Sequence, residues 1–337
     1  MSAARSMRWA GALAAGIALV LVSAQISPSA VTLPQAASPP DPQSVTFAVG
    51  AGDPLVAQGV MPADILSAGG NAVILCDDLG LLCVDPITSD YDVIGGLSYG
   101  QDFVSTEDLP IQFSVAQGSL GLPGTAVRVE AACSPGEPQA DVFATAGNGS
   151  NVQALDGNGI ACGANSSAGL YLEEGASSSD LSALDREACL LADPNCDGVP
   201  ENPVFLTLAP GSPTLAALGA SPADVLMAGV DYVPLEWADG VADLGLNASD
   251  AIDALCVLDN GDGVYGGGDQ VLFSLAPGSP TLVVRSFSPA DLLQPGSPPS
   301  RRFTAASLGL QAGDDVDAMM CASVPFTVYL PVVLKNQ

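Results

Sequence analysis

Two short loops contain the residue types that calcium prefers. In each loop, oxygen-bearing side chains stand at nearby positions just before a glycine, which is how an EF-hand type of calcium loop begins. The candidate ligands are Asp193, Asn195 and Asp197 in the first loop and Asp259 and Asp262 in the second. Neither loop continues to the glutamate at the twelfth position of an EF-hand. An acidic turn is the alternative, because Asp, Asn and Gly are also the usual residues of turns.

The absence of histidine removes several classes of active site. The chain has no His, 37 acidic residues and 8 basic ones. Ser/His and Cys/His nucleophile pairs and histidine-containing metal sites are therefore excluded. Paired carboxylates could still hydrolyse glycosides, but no pair stands out among so many. A net charge of −29 repels nucleic acid and anionic membranes and attracts cations, so no nucleic-acid partner is expected.

One set of aspartates recurs directly after an alanine. Its members are Asp64, Asp141, Asp224 and Asp291. In a closed ring, four equivalent carboxylates could surround an axial cation. Alternatively, each carboxylate accepts hydrogen bonds from local backbone at the start of a strand. We favour the structural interpretation, because the residue recurs in every repeat beside a core phenylalanine.

A second recurring pattern is Asp-x-x-Asp before a short apolar segment. Its second carboxylate is Asp253 or Asp317 in two repeats, whereas Gly95 and Ser182 occupy the equivalent position in the others. The pattern therefore implies no symmetric site.

These residues belong to a fourfold repeat. The repeats start near Phe47, Phe113, Phe205 and Phe273. Each has a strand with the Phe, a Gly/Pro/Ser turn, a strand opening with Ala-Asp, an apolar segment ending in Leu-Gly-Leu in three repeats, and an acidic turn leading into a short strand. This predicts an all-β, four-repeat propeller-like domain in which a strand near 317–323 completes the first blade. An open stack of β-repeats and tandem β-sandwiches are the alternatives.

The segments outside the repeats indicate export. Residues 1–24 have a basic start, an apolar stretch and a small-residue cleavage site, which is typical of a signal peptide. Residues 25–43 form a Pro/Ser/Ala-rich linker, 44–323 the repeat domain, and 324–337 a C-terminal strand or tail too short and too interrupted to span a bilayer. We therefore expect a secreted, extracellular protein with no membrane span in the mature chain.

Eight cysteines in an exported chain favour disulfide bonds over metal binding. No Cys-x-x-Cys pair or histidine is present to complete a zinc site. Equal short spacing suggests the pairs Cys76–Cys83 and Cys189–Cys196. The second repeat is enlarged by inserts at 118–139 and 147–168, which Cys133 and Cys162 could join. Long loops on one repeat are a typical place for binding function.

The combination of Phe-Ser-x-x-x-Gly-Ser, Ala-Asp-Ile/Val-Leu, Leu-Gly-Leu and Asp-x-x-Asp-Ala-Leu resembles uncharacterised secreted repeat proteins of bacteria. The segment Tyr329–Lys335 is similar to a C-terminal tail of other bacterial secreted proteins. A more distant likeness is to hemopexin-type four-bladed propellers, through unit count, the Asp-Ala strand start and a closure by Cys256 and Cys321. The full hemopexin motif is absent.

Together these features predict a secreted, non-catalytic binding or adhesion protein with structural calcium sites. Its partner would be an extracellular ligand, either glycan or protein. The alternative is an exported, carboxylate-dependent glycoside hydrolase that acts on polysaccharide.

Overall fold

In the part of the chain that the structure describes, sixteen strands form four antiparallel sheets of four strands each. The structure is a computed structural model that describes residues 45–84, 91–99, 111–133, 137–165, 169–173, 180–186, 204–229, 232–259 and 263–321. These residues all fall within one compact unit, 36–337. The predicted all-β, four-bladed propeller is therefore confirmed.

Each sheet is one blade, described here from its innermost to its outermost strand. Blade one contains β16 (Val316–Met320), β1 (Thr46–Val49), β2 (Ile65–Ser67) and β3 (Asn71–Ile74). Blade two contains β4 (Ile94–Ser98), β5 (Ile111–Val115), β6 (Val142–Thr145) and β7 (Val152–Leu155). Blade three contains β8 (Leu181–Arg186), β9 (Val204–Leu208), β10 (Val225–Gly229) and β11 (Tyr232–Ala238). Blade four contains β12 (Ile252–Leu258), β13 (Gln270–Leu275), β14 (Leu292–Gln294) and β15 (Ser300–Phe303).

The four innermost strands surround a common axis. Strand β4 packs against β8 and β16, and β12 packs against the same two strands. These inner strands follow the acidic turns of the sequence repeat, so each acidic turn begins a blade. The blade boundary thus lies after the Leu-Gly-Leu segment, one strand earlier than a division at the phenylalanines would place it.

The repeated phenylalanines form the centre of each blade. Phe47, Phe113, Phe205 and Phe273 lie on the second strands and are fully buried. A buried aromatic ring of this kind contributes about 3–5 kcal/mol of stability relative to alanine. The periodic Phe is therefore a core position, as the alternating pattern predicts.

The last strand of the ring closes the first blade. Strand β16 pairs antiparallel with β1, with Met319 opposite Phe47. A disulfide bond joins Cys256 on β12 to Cys321, which directly follows β16. Both the predicted closing strand and the disulfide expected from the propeller likeness are confirmed.

Among the described residues, short helices follow the predicted Gly/Pro/Ser turns in three blades. They are α1 (Ala126–Ala131), α2 (Pro213–Leu218) and α3 (Pro280–Arg285), and each connects the second and third strands of its blade. In α2 and α3, Pro occupies the first helical position, where its missing N–H costs nothing and its fixed φ suits a helix. Within the described part of the chain, no helix is long and apolar enough to cross a membrane.

The Leu-Gly-Leu segments are turns after the outer strands, with the glycine in the left-handed region. Gly80, Gly245 and Gly309 have φ values of 76°, 75° and 80°. Blade two has Leu170-Tyr171-Leu172 at this place, with both leucines buried and Tyr171 at φ 55°. The sequence analysis missed this fourth copy because a tyrosine stands where the pattern has glycine.

Candidate metal centre

The Ala-Asp carboxylates accept hydrogen bonds from backbone N–H groups, which supports their structural interpretation. In Asp64, Asp224 and Asp291, one oxygen accepts from the N–H three residues earlier, at 3.0, 2.7 and 2.8 Å respectively. The other oxygen accepts from an N–H just after the outer strand, that of Cys76, Gly240 or Ala305, at 2.8–2.9 Å. Each carboxylate thus joins the start of the third strand to the end of the fourth.

A β-bulge occurs at the second residue of every inner strand. In β12, Ile252 pairs with Leu275 and Ala254 with Ser274, which leaves Asp253 as the extra residue. The extra residues in the other inner strands are Asp317, Gly95 and Ser182. A bulge redirects a side chain out of the regular alternation, and bulges are common beside functional sites. The second position of Asp-x-x-Asp is therefore the bulge position, and only two of the four bulges present a carboxylate.

The two bulge aspartates form the centre of an acidic cluster. Carboxylate oxygens of Asp253, Asp315 and Asp317 all lie within 4.8 Å of one another. Asp180, which directly precedes β8, is close enough to repel Asp253 and Asp317. We call these four residues the axial cluster, because they stand at the N-terminal ends of the inner strands.

No basic side chain among the described residues balances the axial cluster. Among the described arginines, none forms an ion pair with any of its four carboxylates. Asp253 is 9 % exposed and makes no hydrogen bond to a described group outside the cluster. One oxygen of Asp315 and one of Asp180 are buried without a hydrogen-bond partner. Asp180, Asp315 and Asp317 are half-buried, and carboxylates this close together in such surroundings are stabilised by a proton or a cation.

The pKa values of the four carboxyl groups in the axial cluster are all raised, so the protonated forms are favoured. Burial, together with repulsion from Asp315 and Asp180, raises the pKa of Asp317 to about 8. Burial and then repulsion from Asp53 raise the pKa of Asp315 to about 7, and burial alone raises the pKa of Asp180 to about 7. Burial, with repulsion from Asp317 and Asp315, raises the pKa of Asp253 well above its ordinary value.

The opposite ends of the inner strands contain a carboxylate that is fully hydrogen-bonded. Asp185 is completely buried and accepts from the Ser98 hydroxyl at 3.0 Å and from the Val257 N–H at 2.7 Å. It therefore connects β8 to both neighbouring inner strands. Burial raises its pKa to about 7. Because protein groups satisfy it, Asp185 has a structural role.

The residues predicted as calcium ligands are mostly outside the described residues. This applies to Asp193, Asn195, Asp197 and Asp262, and also to the Cys189–Cys196 pair and the segment 326–334. Asp259 is described; it lies at the end of β12 and is buried. The two-loop hypothesis thus stays a prediction.

Sequence reasoning did not assemble the axial cluster. Asp180 and Asp315 lie one residue after the first position of the repeated motif, where the other repeats have Val93 and Ala251. The available signal was the Asp-x-x-Asp spacing at Asp253 and Asp317. Recognising it would have required knowing that these positions form bulges around an axis.

One predicted local disulfide and the predicted link between the two inserts are present. Cys76–Cys83 closes the turn after β3, and Cys133–Cys162 joins the two inserts of the second repeat. The predicted second insert is partly wrong, because its residues 152–155 are β7, the outermost strand of blade two; the disulfide joins the segment after α1 to the loop that follows β7.

Comparison of the chain with protein-family models, with curated proteins and with solved structures found no match. The four-bladed arrangement is supported by the structure itself, whereas neither sequence resemblance is supported by a match. Function must therefore be argued from the site.

Proposed function

We propose that this protein is a secreted, non-catalytic propeller that binds calcium at the axial cluster and presents its loops to an extracellular ligand. The observation that supports it is the approach of three carboxylates, Asp253, Asp315 and Asp317, to within 4.8 Å of one another without a basic partner. Carboxylate oxygens are hard ligands, which calcium binds at 2.3–2.6 Å in flexible geometry.

The compartment also favours calcium. Three disulfide bonds among the described residues favour an oxidising environment. Extracellular calcium modules commonly work with dissociation constants of about 10⁻⁴–10⁻³ M, which a site with few rigid ligands can reach. Asp180 and water would complete the coordination shell around the three clustered carboxylates.

A binding role fits the surface better than catalysis does. The described residues contain no histidine, and the Ser182 hydroxyl beside the axial cluster already donates to the Ile252 carbonyl at 2.9 Å. The cystine-linked inserts of blade two supply long ordered loops, which are a common location for ligand contacts. We propose a glycan or protein as the ligand class.

Thermal unfolding of the full oxidised chain in EGTA and in millimolar calcium tests the metal claim. A ligand stabilises the state that it binds, so calcium should raise the midpoint of the wild-type protein. In Asp317→Asn this rise should be strongly reduced. Glu236→Gln, which removes one exposed charge from β11, should keep the wild-type response.

The catalytic alternative is tested on a panel of polysaccharides. A non-catalytic protein shows no turnover on any of them. Turnover that is lost in Asp253→Asn or Asp317→Asn would instead assign the cluster to a glycoside hydrolase. An equal calcium response in wild type and Asp317→Asn would remove the axial cluster from the proposal.

A further inference from the structure

One of the four Ala-Asp carboxylates lacks a hydrogen bond that the other three make. In blades one, three and four, the second oxygen accepts from the backbone N–H three residues earlier, that of Met61, Ser221 or Ser288. In blade two the residue three positions before Asp141 is Pro138, which has no N–H. Asp141 Oδ1 still accepts from the Gly157 N–H at 2.8 Å, but Oδ2 is buried without a partner.

Other oxygen-bearing side chains lie near Asp141, although the carboxylate oxygens of Glu130, Asp141 and Asp156 do not all approach within 4.8 Å of one another. Glu130 from α1 and Asp156 after β7 are both close enough to repel Asp141. Gln153 on β7 lies between them, with its Nε2 at 3.3 Å from Glu130 Oε1 and 3.4 Å from Asp156 Oδ2. The Gln153 Oε1 atom is itself buried without a partner.

All four side chains are removed from solvent. The exposed fractions are 2 % for Asp141, 3 % for Asp156, 5 % for Glu130 and 8 % for Gln153. Burial raises the pKa of Asp141 well above its ordinary value and repulsion from Glu130 and Asp156 raises it further, whereas hydrogen bonding from the Gly157 N–H and the Gln153 amide partly opposes the rise. No described arginine forms an ion pair with these carboxylates. Three buried carboxyl groups without a counter-charge are costly unless a cation or protons neutralise them.

Part of the arrangement is already fixed by the backbone. Asp156 Oδ1 accepts from three successive N–H groups, those of Asn158, Gly159 and Ile160, which leaves its Oδ2 directed toward Gln153. Glu130 Oε1 also accepts from Asn165 Nδ2 at 2.9 Å. The side chains are thus held in position by the inserts that enlarge this repeat.

We propose that Glu130, Asp141, Gln153 and Asp156 form a second divalent-cation site, suited to calcium and separate from the axial cluster. The carboxylate oxygens most available to the cation are Asp141 Oδ2, which has no hydrogen-bond partner, and Asp156 Oδ2, which accepts from Gln153. A half-turn of the Gln153 amide replaces its Nε2 with Oε1 as a neutral ligand, and Glu130 supplies a third carboxylate. All are oxygen ligands of the type that calcium selects.

The site would attach the inserts to blade two. Glu130 lies on α1 and Asp156 begins the second insert's loop, while Asp141 and Gln153 belong to the blade. The Cys133–Cys162 disulfide joins the same two inserts covalently. Bound calcium would therefore order the loops that the proposed function assigns to ligand contact, although the cation site does not depend on that role.

Calcium titration calorimetry on the full oxidised chain tests the site, with calcium alone as the probe. The wild-type protein should bind one more calcium ion than Glu130→Gln. Pro138→Ser should restore the missing N–H donor to Asp141, as Ser221 and Ser288 do in their blades, and so weaken this site at least tenfold. Asp224→Asn, at the equivalent position of blade three, is the matched control and should keep the full stoichiometry.

The variants also separate this site from the axial one. Asp317→Asn should lose the axial ion and keep the blade-two ion, so failure of one proposal leaves the other measurable. Pro138→Ser should fold at least as well as wild type in EGTA, which guards against a result caused by unfolding. Unchanged calcium stoichiometry and affinity in both Glu130→Gln and Pro138→Ser would overturn the proposal.

Discussion

The axial cluster should make the calcium-free protein less stable as pH rises from 5 to 8. Unfolded aspartates titrate near pH 3.9. In the folded chain the pKa is raised to about 7 for Asp180 and Asp315 and to about 8 for Asp317. The folded state therefore retains protons that the unfolded state has lost. This stability is fully present below pH 4 and is lost as pH rises through 7 to 8.

The size of the effect follows from the number of retained protons. Each one lowers the free energy of unfolding by about 1.4 kcal/mol per pH unit. Asp317 alone would then lower it by about 3 kcal/mol between pH 5 and pH 7. For a domain of this size, that corresponds to a fall of roughly 5–10 °C in the unfolding midpoint. Other buried carboxyl groups, including Asp185, act in the same direction.

Differential scanning calorimetry in EGTA at pH 5, 6, 7 and 8 measures this slope. Asp317→Asn should have a shallower slope by about one proton, because the amide does not titrate. Millimolar calcium should flatten the wild-type slope by replacing protons in the cluster. A midpoint that rises with pH, or equal slopes in wild type and Asp317→Asn, would refute the account of the cluster given above.

Three further predictions concern the ring and its turns. Replacing Cys256 and Cys321 by serine removes a cross-link between residues 65 apart. The free energy of unfolding, measured by denaturant titration, should fall by about 4 kcal/mol. No loss would mean that the pairing of β16 with β1 is enough to close the ring. Tyr171→Gly should raise that free energy by about 0.5–1 kcal/mol, because Tyr171 is half-exposed at φ 55° where the other blades have glycine. Gly245→Ala should destabilise the protein, since its Cβ would meet the Gly296 carbonyl, and a neutral result would contradict the turn argument.

The fold was predictable because the same pattern of strands and turns occurs four times in the sequence. A phenylalanine that recurs in each repeat, a strand beginning with Ala-Asp and a final copy of the inner strand are local signals of blade geometry. The closing of the ring followed from where the copies begin and end. The α-helices after the second strands were harder to predict, because Pro-Thr-Leu after Gly-Ser fits both a turn and the first turn of a helix.

The candidate sites were less predictable because they occupy the places where the repeat varies. Asp315 and Asp180 replace apolar or small residues of other repeats, and their proximity depends on the ring. In blade two the four proposed ligands come from α1, β7 and the residues that precede β6 and follow β7, which no linear motif joins. Three residues before each Ala-Asp aspartate, the sequence nonetheless shows Pro138 as the one residue that has no backbone N–H to donate.

The close packing of β4 against its neighbours explains why blade two contributes no carboxylate to the axial cluster. A Cβ on Gly96 would approach Leu184 Cβ and the Ser114 hydroxyl, and one on Gly95 would lie 2.7 Å from the Leu181 carbonyl oxygen. A side chain therefore does not fit at Gly95 or Gly96 of β4, and the bulge carboxylates stand on β12 and β16. These two strands are joined covalently at their other ends by Cys256–Cys321. The disulfide bond therefore holds β12 and β16 together permanently at one end. At the other end, protons or a cation must offset the repulsion among Asp253, Asp315 and Asp317.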